Sequence, residues 1–101
     1  MKTIVVRYQT TAAHADANAA LIRAVFGELR ARAPRGFCYA SYRATDGVTF
    51  IHVATHNAAD NSQLTALPAF KIFQSELKSR CVEPPVVTEL SVVDSYGLVE
   101  P

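Results

Sequence analysis

The groups in this sequence best suited to chemistry are imidazoles, guanidinium groups and phenols set within short β-branched stretches. His52 and His56 share one parity of the stretch Phe50-Ile51-His52-Val53-Ala54-Thr55-His56. A strand rises about 3.3 Å per residue, so four residues separate the two rings by about 13 Å, too far for one metal ion. No Cys, Asp or Glu cluster completes a metal site, and none is expected. His52 lies in mid-strand among apolar neighbours. Such an imidazole can remove a phenol proton or donate a hydrogen bond to a phenolate. It can equally be a hydrogen-bonded histidine of a core or interface. Arg7, Arg43 and Glu89 are its candidate partners across a sheet. His56, at a strand end beside Asn57, reads as a loop or capping residue.

Arg7 is the unusual residue of the first strand, flanked by Val5-Val6 and Tyr8. An unpaired guanidinium facing an interior is costly, so Arg7 either pairs with Glu89 or Asp94 or binds an anionic ligand. Tyr8, Tyr39 and Tyr42 offer rings with a polar tip, and Tyr42 joins Arg7 as a candidate substrate-positioning residue. Phe70 and Phe73 are core residues that can also wall an aromatic pocket. Ser41 and Ser91 lack any signature of an activated nucleophile. The glycines, at 27, 36, 47 and 97, are too scattered for a phosphate loop. Cys38 and Cys81 read as two reduced thiols packed as small hydrophobes.

The periodicity of the chain says what must position these groups. Residues 2–9 predict a strand with Ile4, Val6 and Tyr8 on one face and Val5 and Arg7 on the other. Thr10, Thr11 or Asp16 caps a helix whose apolar stripe is Leu21, Ile22, Val25, Phe26 and Leu29. Gly27 within it suggests close packing, and Ala33-Pro34-Arg35-Gly36 ends it. Strands follow at 37–44 and 48–56, joined by the hairpin signal Thr45-Asp46-Gly47. Asn57 to Asn61 supplies caps for a second helical region, with Gln63 and Leu64 in its first turn. A longer helix starts near Pro68, carries Phe70, Phe73, Leu77 and Cys81 along its stripe, and stops at Glu83-Pro84-Pro85. Residues 86–96 read as the last strand.

The order βαββαβ predicts an α+β, ferredoxin-like domain spanning 1–101, with two helices on one face of a four-stranded antiparallel sheet. Two helices cover one sheet face only. The other, carrying Val5, Phe50, Val87 and Val93 on this phasing, needs a cover, and a second copy of the chain supplies it. The composition agrees with a compact chain: 101 residues, 50% hydrophobic and 19% charged. A net charge of +1 provides no footprint for nucleic acid or an anionic membrane. No apolar run approaches the roughly 20 residues of a membrane span, and the N-terminal stretch lacks the apolar length of a signal peptide. The expected location is therefore cytoplasmic.

The element order, with Phe50-Ile51-His52-Val53-Ala54, Leu67-Pro68-Ala69-Phe70-Lys71-Ile72-Phe73 and Pro85-Val86-Val87-Thr88-Glu89-Leu90, resembles the antibiotic-biosynthesis-monooxygenase-like family of dimeric α+β barrels. That resemblance implies a homodimer through the sheet faces. It also implies either cofactor-free oxygenation of phenols or quinols or haem degradation. The haem-degrading branch has an Asn, a Trp and a His where this chain has Arg7 or Tyr8, Leu64 and Gln74, and the sequence contains no Trp. Haem binding is therefore not expected, because the proximal ligand is what holds the iron.

The reading that follows is a cofactor-independent oxygenase of small phenolic or quinol substrates. His52 is its catalytic base or donor, Arg7 and Tyr42 position the substrate, Phe70 and Phe73 form walls, and no cofactor or metal is required. The alternative is a non-catalytic dimer that binds a small aromatic ligand, or a stress-associated protein of the same fold.

Overall fold

The computed structural model describes residues 2–56 and 62–97. Along the chain lie β1 (Lys2–Thr10), a 3-10 turn (Ala12–His14), α1 (Ala15–Arg32), β2 (Phe37–Arg43), β3 (Thr49–His56), α2 (Ser62–Thr65), α3 (Pro68–Ser75), α4 (Leu77–Arg80) and β4 (Cys81–Leu90). The strands form one antiparallel sheet in the order β2-β3-β1-β4. This is the ferredoxin-like arrangement that the periodicity predicts.

Strand alternation fixes which residues share a face, and the register fixes who meets whom. Tyr8 lies opposite Phe50, Val6 opposite His52, and His52 opposite Ser41. This face meets the helices. Tyr8, Phe50 and Leu67 are fully or almost fully buried there with Val25, Leu29, Phe70 and Phe73. Truncating a buried aromatic such as Phe50 to Ala costs about 3–5 kcal/mol. Phe50 and Val87 therefore belong to the helix side, not to the open face assigned to them from the sequence, because their strands pair in step with Tyr8 and Val6. The open face carries Val5, Arg7, Ala40, Tyr42, Ile51, Val53, Val86 and Leu90 by the same register.

The helices differ from expectation in informative ways. α1 begins after a 3-10 turn preceded by Thr11, without a side-chain cap to its backbone. The Thr11 hydroxyl instead bonds His14 Nδ1 at 2.7 Å. α1 ends on Ala33, which is left-handed (φ 46°) while its N–H still donates to the Leu29 carbonyl at 2.7 Å. A Cβ in that conformation costs about 1 kcal/mol. Gly27 serves no close approach: a Cβ there would meet nothing within 4 Å. Pro68 opens α3, where a missing N–H costs nothing, and Ala69 N–H donates to Glu28 Oε1 at 3.0 Å, tying α3 to α1. The helix breaks at Glu76 and resumes as α4, so it does not run unbroken toward Cys81.

β4 is shifted from the expected 86–96 to Cys81–Leu90. It sits at the sheet edge, where Pro84 and Pro85 are tolerated, and its register slips twice along Arg7, Gln9 and Thr10. Val93 is fully exposed beyond the strand. The hairpin between β2 and β3 forms as predicted. Gly47 takes φ +81°, and the Asp46 carboxylate accepts the N–H groups of Val48 and Thr49 and the Thr49 hydroxyl. These bonds hold the Asp46 carboxyl below the usual carboxylate range. Cys38 is exposed rather than packed, because its side chain alternates onto the outer face of an edge strand. The proposed caps at 57–61 lie outside the described residues, as does the Gln63 side chain. No helix among the described residues is long and apolar enough to cross a membrane.

Candidate functional site

The helix-facing side of the sheet carries a row of parallel rings. Phe50, Tyr8, His52, Tyr39 and Phe26 follow one another with centroid separations of 5.6, 5.3, 6.0 and 5.1 Å and interplanar angles of 15° or less. Strand register produces the row, since same-face neighbours on adjacent strands are within reach of aromatic side chains. Phe73 of α3 presents its edge to His52 at 5.7 Å. His52, 5% exposed, stands at the centre.

A chain of polar contacts runs through this stack. Arg80 Nε donates to Asn18 Oδ1 at 2.9 Å, and Asn18 Nδ2 donates to Tyr8 Oη at 2.9 Å. Tyr8 Oη lies 2.8 Å from His52 Nε2. On the far side of the ring, His52 Nδ1 lies 2.6 Å from Ser41 Oγ and 3.2 Å from Tyr39 Oη. Arg80 is anchored further by a 2.7 Å bond from Nη2 to the Phe73 carbonyl and by the Phe73 ring, 5.4 Å away.

The direction of every proton in this chain follows from Arg80. A guanidinium only donates, so Asn18 must present its oxygen to Arg80 and its NH2 to Tyr8. The Tyr8 oxygen thus accepts from Asn18. Its own proton has one acceptor within reach among the described residues, His52 Nε2. Tyr8 is 0% exposed, and leaving that proton unpaired would cost about 1–3 kcal/mol. His52 is therefore the tautomer with its proton on Nδ1, donated to Ser41 and, more weakly, to Tyr39. The hydroxyl protons of Ser41 and Tyr39 then point away from the ring.

Burial controls the acid–base character of the site. It pulls the His52 pKa down to about 4, so the ring is neutral at pH 7. It pushes the Tyr39 phenol up to about 12, against a smaller lowering by the bond to Ser41. The Tyr8 phenol is also raised, mainly by burial and against the lowering effect of Asn18. Every group of the chain is uncharged at neutral pH except Arg80.

A cavity of about 320 Å³ opens beside this cluster, between α2–α3 and the sheet. Tyr8, Tyr39, His52, Leu64, Phe70 and Phe73 line it. The volume is at the small end of ligand pockets, which span about 300–1,000 Å³. The structure thus brings His52, Phe70 and Phe73 together. It does not bring Arg7 and Tyr42 to them. Arg7 projects from the open sheet face, is 55% exposed and pairs with Glu83 at 3.4 Å, not with Glu89 or Asp94. Tyr42 is 58% exposed on the same open face. Arg7 and Tyr8 alternate, so the two cannot serve one site. Glu89 pairs with Lys2. His56 is buried at the end of β3 rather than in a loop.

Sequence reasoning missed Asn18 and Arg80. Each had a readable signal: a polar residue at an apolar phase. Asn18 continues the stripe of Ile22, Val25 and Leu29, and Arg80 continues that of Phe70, Phe73 and Leu77. Among the described residues no group of three or more His, Cys, Asp or Glu side chains could hold a metal ion.

Fold and site together define a ferredoxin-like α+β chain with an aromatic cavity polarised by a neutral histidine. Comparison with solved structures places that fold. The chain is similar to SnoaB from Streptomyces nogalater, a cofactor-independent oxygenase (TM-score 0.61, 16% identity, 96% of this chain and 97% of that one). It is similar to a candidate antibiotic biosynthesis monooxygenase from Nitrosomonas europaea (0.78, 11%, 93% and 100%). It is also similar to Rv0793 from Mycobacterium tuberculosis (0.72, 19%, 93% and 96%). The ferredoxin-like fold is thus shared with structures of antibiotic biosynthesis monooxygenases, as the sequence resemblance implies. No family model matches the sequence, and no curated protein matches it.

Proposed function

We propose that the chain is one domain of a homodimeric, cofactor-independent oxygenase acting on a small phenol or quinol in the cavity beside His52. The observation that carries this reading is the oriented hydroxyl–imidazole cluster in a mainly apolar cavity. The His52 Nδ1 proton holds the Tyr39 oxygen, which turns the Tyr39 proton outward. Tyr39 lines the cavity and donates to the oxygen of a bound phenolate, while Phe70 and Phe73 flank the ring.

The phenolate is electron-rich enough to reduce dioxygen, the second substrate. One oxygen atom replaces a ring hydrogen and becomes a carbonyl. The substrate's hydroxyl proton passes to solvent on ionisation; the other oxygen atom leaves as water with the ring hydrogen and one proton returned from solvent, giving a quinone. With its pKa near 4, His52 is a weak base, so its part is to orient the donor rather than to remove the proton. The fold shared with SnoaB, described as a cofactor-independent oxygenase, supports the reaction class.

A second copy covers the open sheet face, where Val86 and Leu90 remain exposed beside Arg7 and Tyr42. Arg7 and Tyr42 then serve that interface rather than the substrate.

Oxygen uptake with a panel of phenols and quinols tests the proposal. Tyr39→Phe keeps the wall and removes the donor, and should lower kcat about 10²-fold with little change in KM. His52→Ala should lower turnover similarly while sedimentation still gives a dimer. Unchanged kcat in Tyr39→Phe would exclude the donor role. Ligand binding without oxygen uptake would favour the second reading, a non-catalytic dimer for small aromatic ligands. That reading is favoured by the fact that both His52 ring nitrogens are already bonded within the protein.

A further inference from the structure

A second cavity, of about 440 Å³, lies between α1 and the edge strand β2, and nothing above uses it. Arg23 and Arg30 of α1 and Arg43 of β2 line it, with Phe26, Tyr39 and Ser41. Arg43 is committed: it donates to Asp16 Oδ1 at 3.0 Å and to the Gly47 carbonyl. Arg23 and Arg30 are different. The ion pairs among the described residues involve Lys2, Arg7 and Arg43, so among those residues neither Arg23 nor Arg30 is paired with a carboxylate. Arg30 instead lies over the Phe26 ring at 5.9 Å. The Glu28 carboxylate, on the same helix, is turned to the Ala69 N–H.

Ser41 accepts from His52 Nδ1 and its hydroxyl bonds the Tyr39 oxygen, so it is committed within the protein. The donors the cleft has to spare are therefore the Arg23 and Arg30 guanidinium groups, and among the described residues the nearby carboxylate, Asp16, is already paired. The floor of the cleft is the stacked pair Phe26 and Tyr39, 5.1 Å apart. Guanidinium donors beside aromatic side chains match an aromatic anion: the guanidinium forks take the carboxylate and its ring packs against Phe26 and Tyr39.

We propose that this cleft binds a small aromatic carboxylate. The site is separate from the cavity beside His52. It communicates with that cavity through Tyr39, which walls both, and through the Ser41–His52 hydrogen bond. It does not depend on the oxygenase reading.

The test uses the full chain and two probes, benzoate and its uncharged isostere benzamide, in calorimetric titrations with amide chemical-shift mapping. Benzoate should bind and benzamide should not. The shifts should cluster at Arg23, Arg30 and Ser41–Arg43, and added salt should weaken binding. The exposed double variant Arg23→Gln/Arg30→Gln should weaken benzoate at least about tenfold, the loss of one charged contact. Equal binding of the two probes, an unaffected double variant, or shifts confined to Leu64, Phe70 and Phe73 would each overturn the proposal, as would no binding at millimolar benzoate. Failure of the oxygen-uptake assay leaves this result untouched.

Discussion

Replacing Arg80 by Met tests the logic of the site at its root. The thioether side chain fills much of the volume of the arginine stem but donates nothing. Two acceptors, Asn18 Oδ1 and the Phe73 carbonyl, lose their bonds of 2.9 and 2.7 Å. Each buried acceptor left unpaired costs about 1–3 kcal/mol. Part of that is returned, because a guanidinium only 5% exposed and with no carboxylate partner among the described residues is itself expensive to bury. A net loss of about 2–4 kcal/mol is expected in denaturant unfolding.

The diagnostic readout is the His52 tautomer. In the wild type, the Nε2–H form would strand the Tyr8 proton at about 1–3 kcal/mol, so Nδ1–H should dominate roughly tenfold or more. Nitrogen-15 imidazole spectra separate a protonated Nδ1 from a protonated Nε2. Without Arg80 the Asn18 amide is free to turn over, and its oxygen can take the Tyr8 proton. The Nε2–H form then becomes competitive, and the spectrum should report both. A wild-type ring protonated on Nε2, or an Arg80→Met ring identical to wild type, would refute the argument that a buried cation sets proton direction through three side chains.

Acid should destabilise the fold through His52. Its folded pKa, about 4, lies below the unfolded value near 6.5, so between those values the unfolded chain binds the extra proton. The stability is fully present above about pH 6.5 and falls by about 3 kcal/mol on approach to pH 4. Unfolding midpoints against pH should show this slope, and a His52→Phe variant should lose it. Tyr39 works in the opposite sense: its folded pKa, about 12, exceeds the unfolded value near 10, so stability should decline as pH rises above about 10. Gly27→Ala should stabilise the chain by about 1 kcal/mol, raising the melting temperature by several degrees, because the position is helical, exposed and open. A neutral or destabilising result would place Gly27 in a contact this chain makes with a partner.

Much of the architecture was legible before any coordinates. Alternation in residues 2–9, 37–44 and 48–56 gave three strands to within a residue of their ends. Asp46-Gly47 gave the hairpin, and the Ile22, Val25 and Leu29 stripe gave the buried face of α1. The C-terminal third was less legible. Pro84-Pro85 reads as a stop, yet a sheet edge needs no N–H from its outward-facing residues, so the strand begins before them. Local sequence has no way to express edge position, which depends on which strands pair.

The same division holds for the site. Residue type alone marked His52, Phe70 and Phe73, and parity alone said that Arg7 and Tyr8 must point oppositely. Which parity faces the helices was decided only by tertiary packing, which sent Tyr8 inward to the stack and left Arg7 outside with Tyr42. Asn18, Tyr8, His52 and Arg80 come from four elements, and 62 residues separate Asn18 from Arg80. A hydrogen bond across such a separation exists only once the sheet and helices have closed. The proton direction it imposes on His52 is accordingly a property of the fold, although every group that enforces it is written in the sequence.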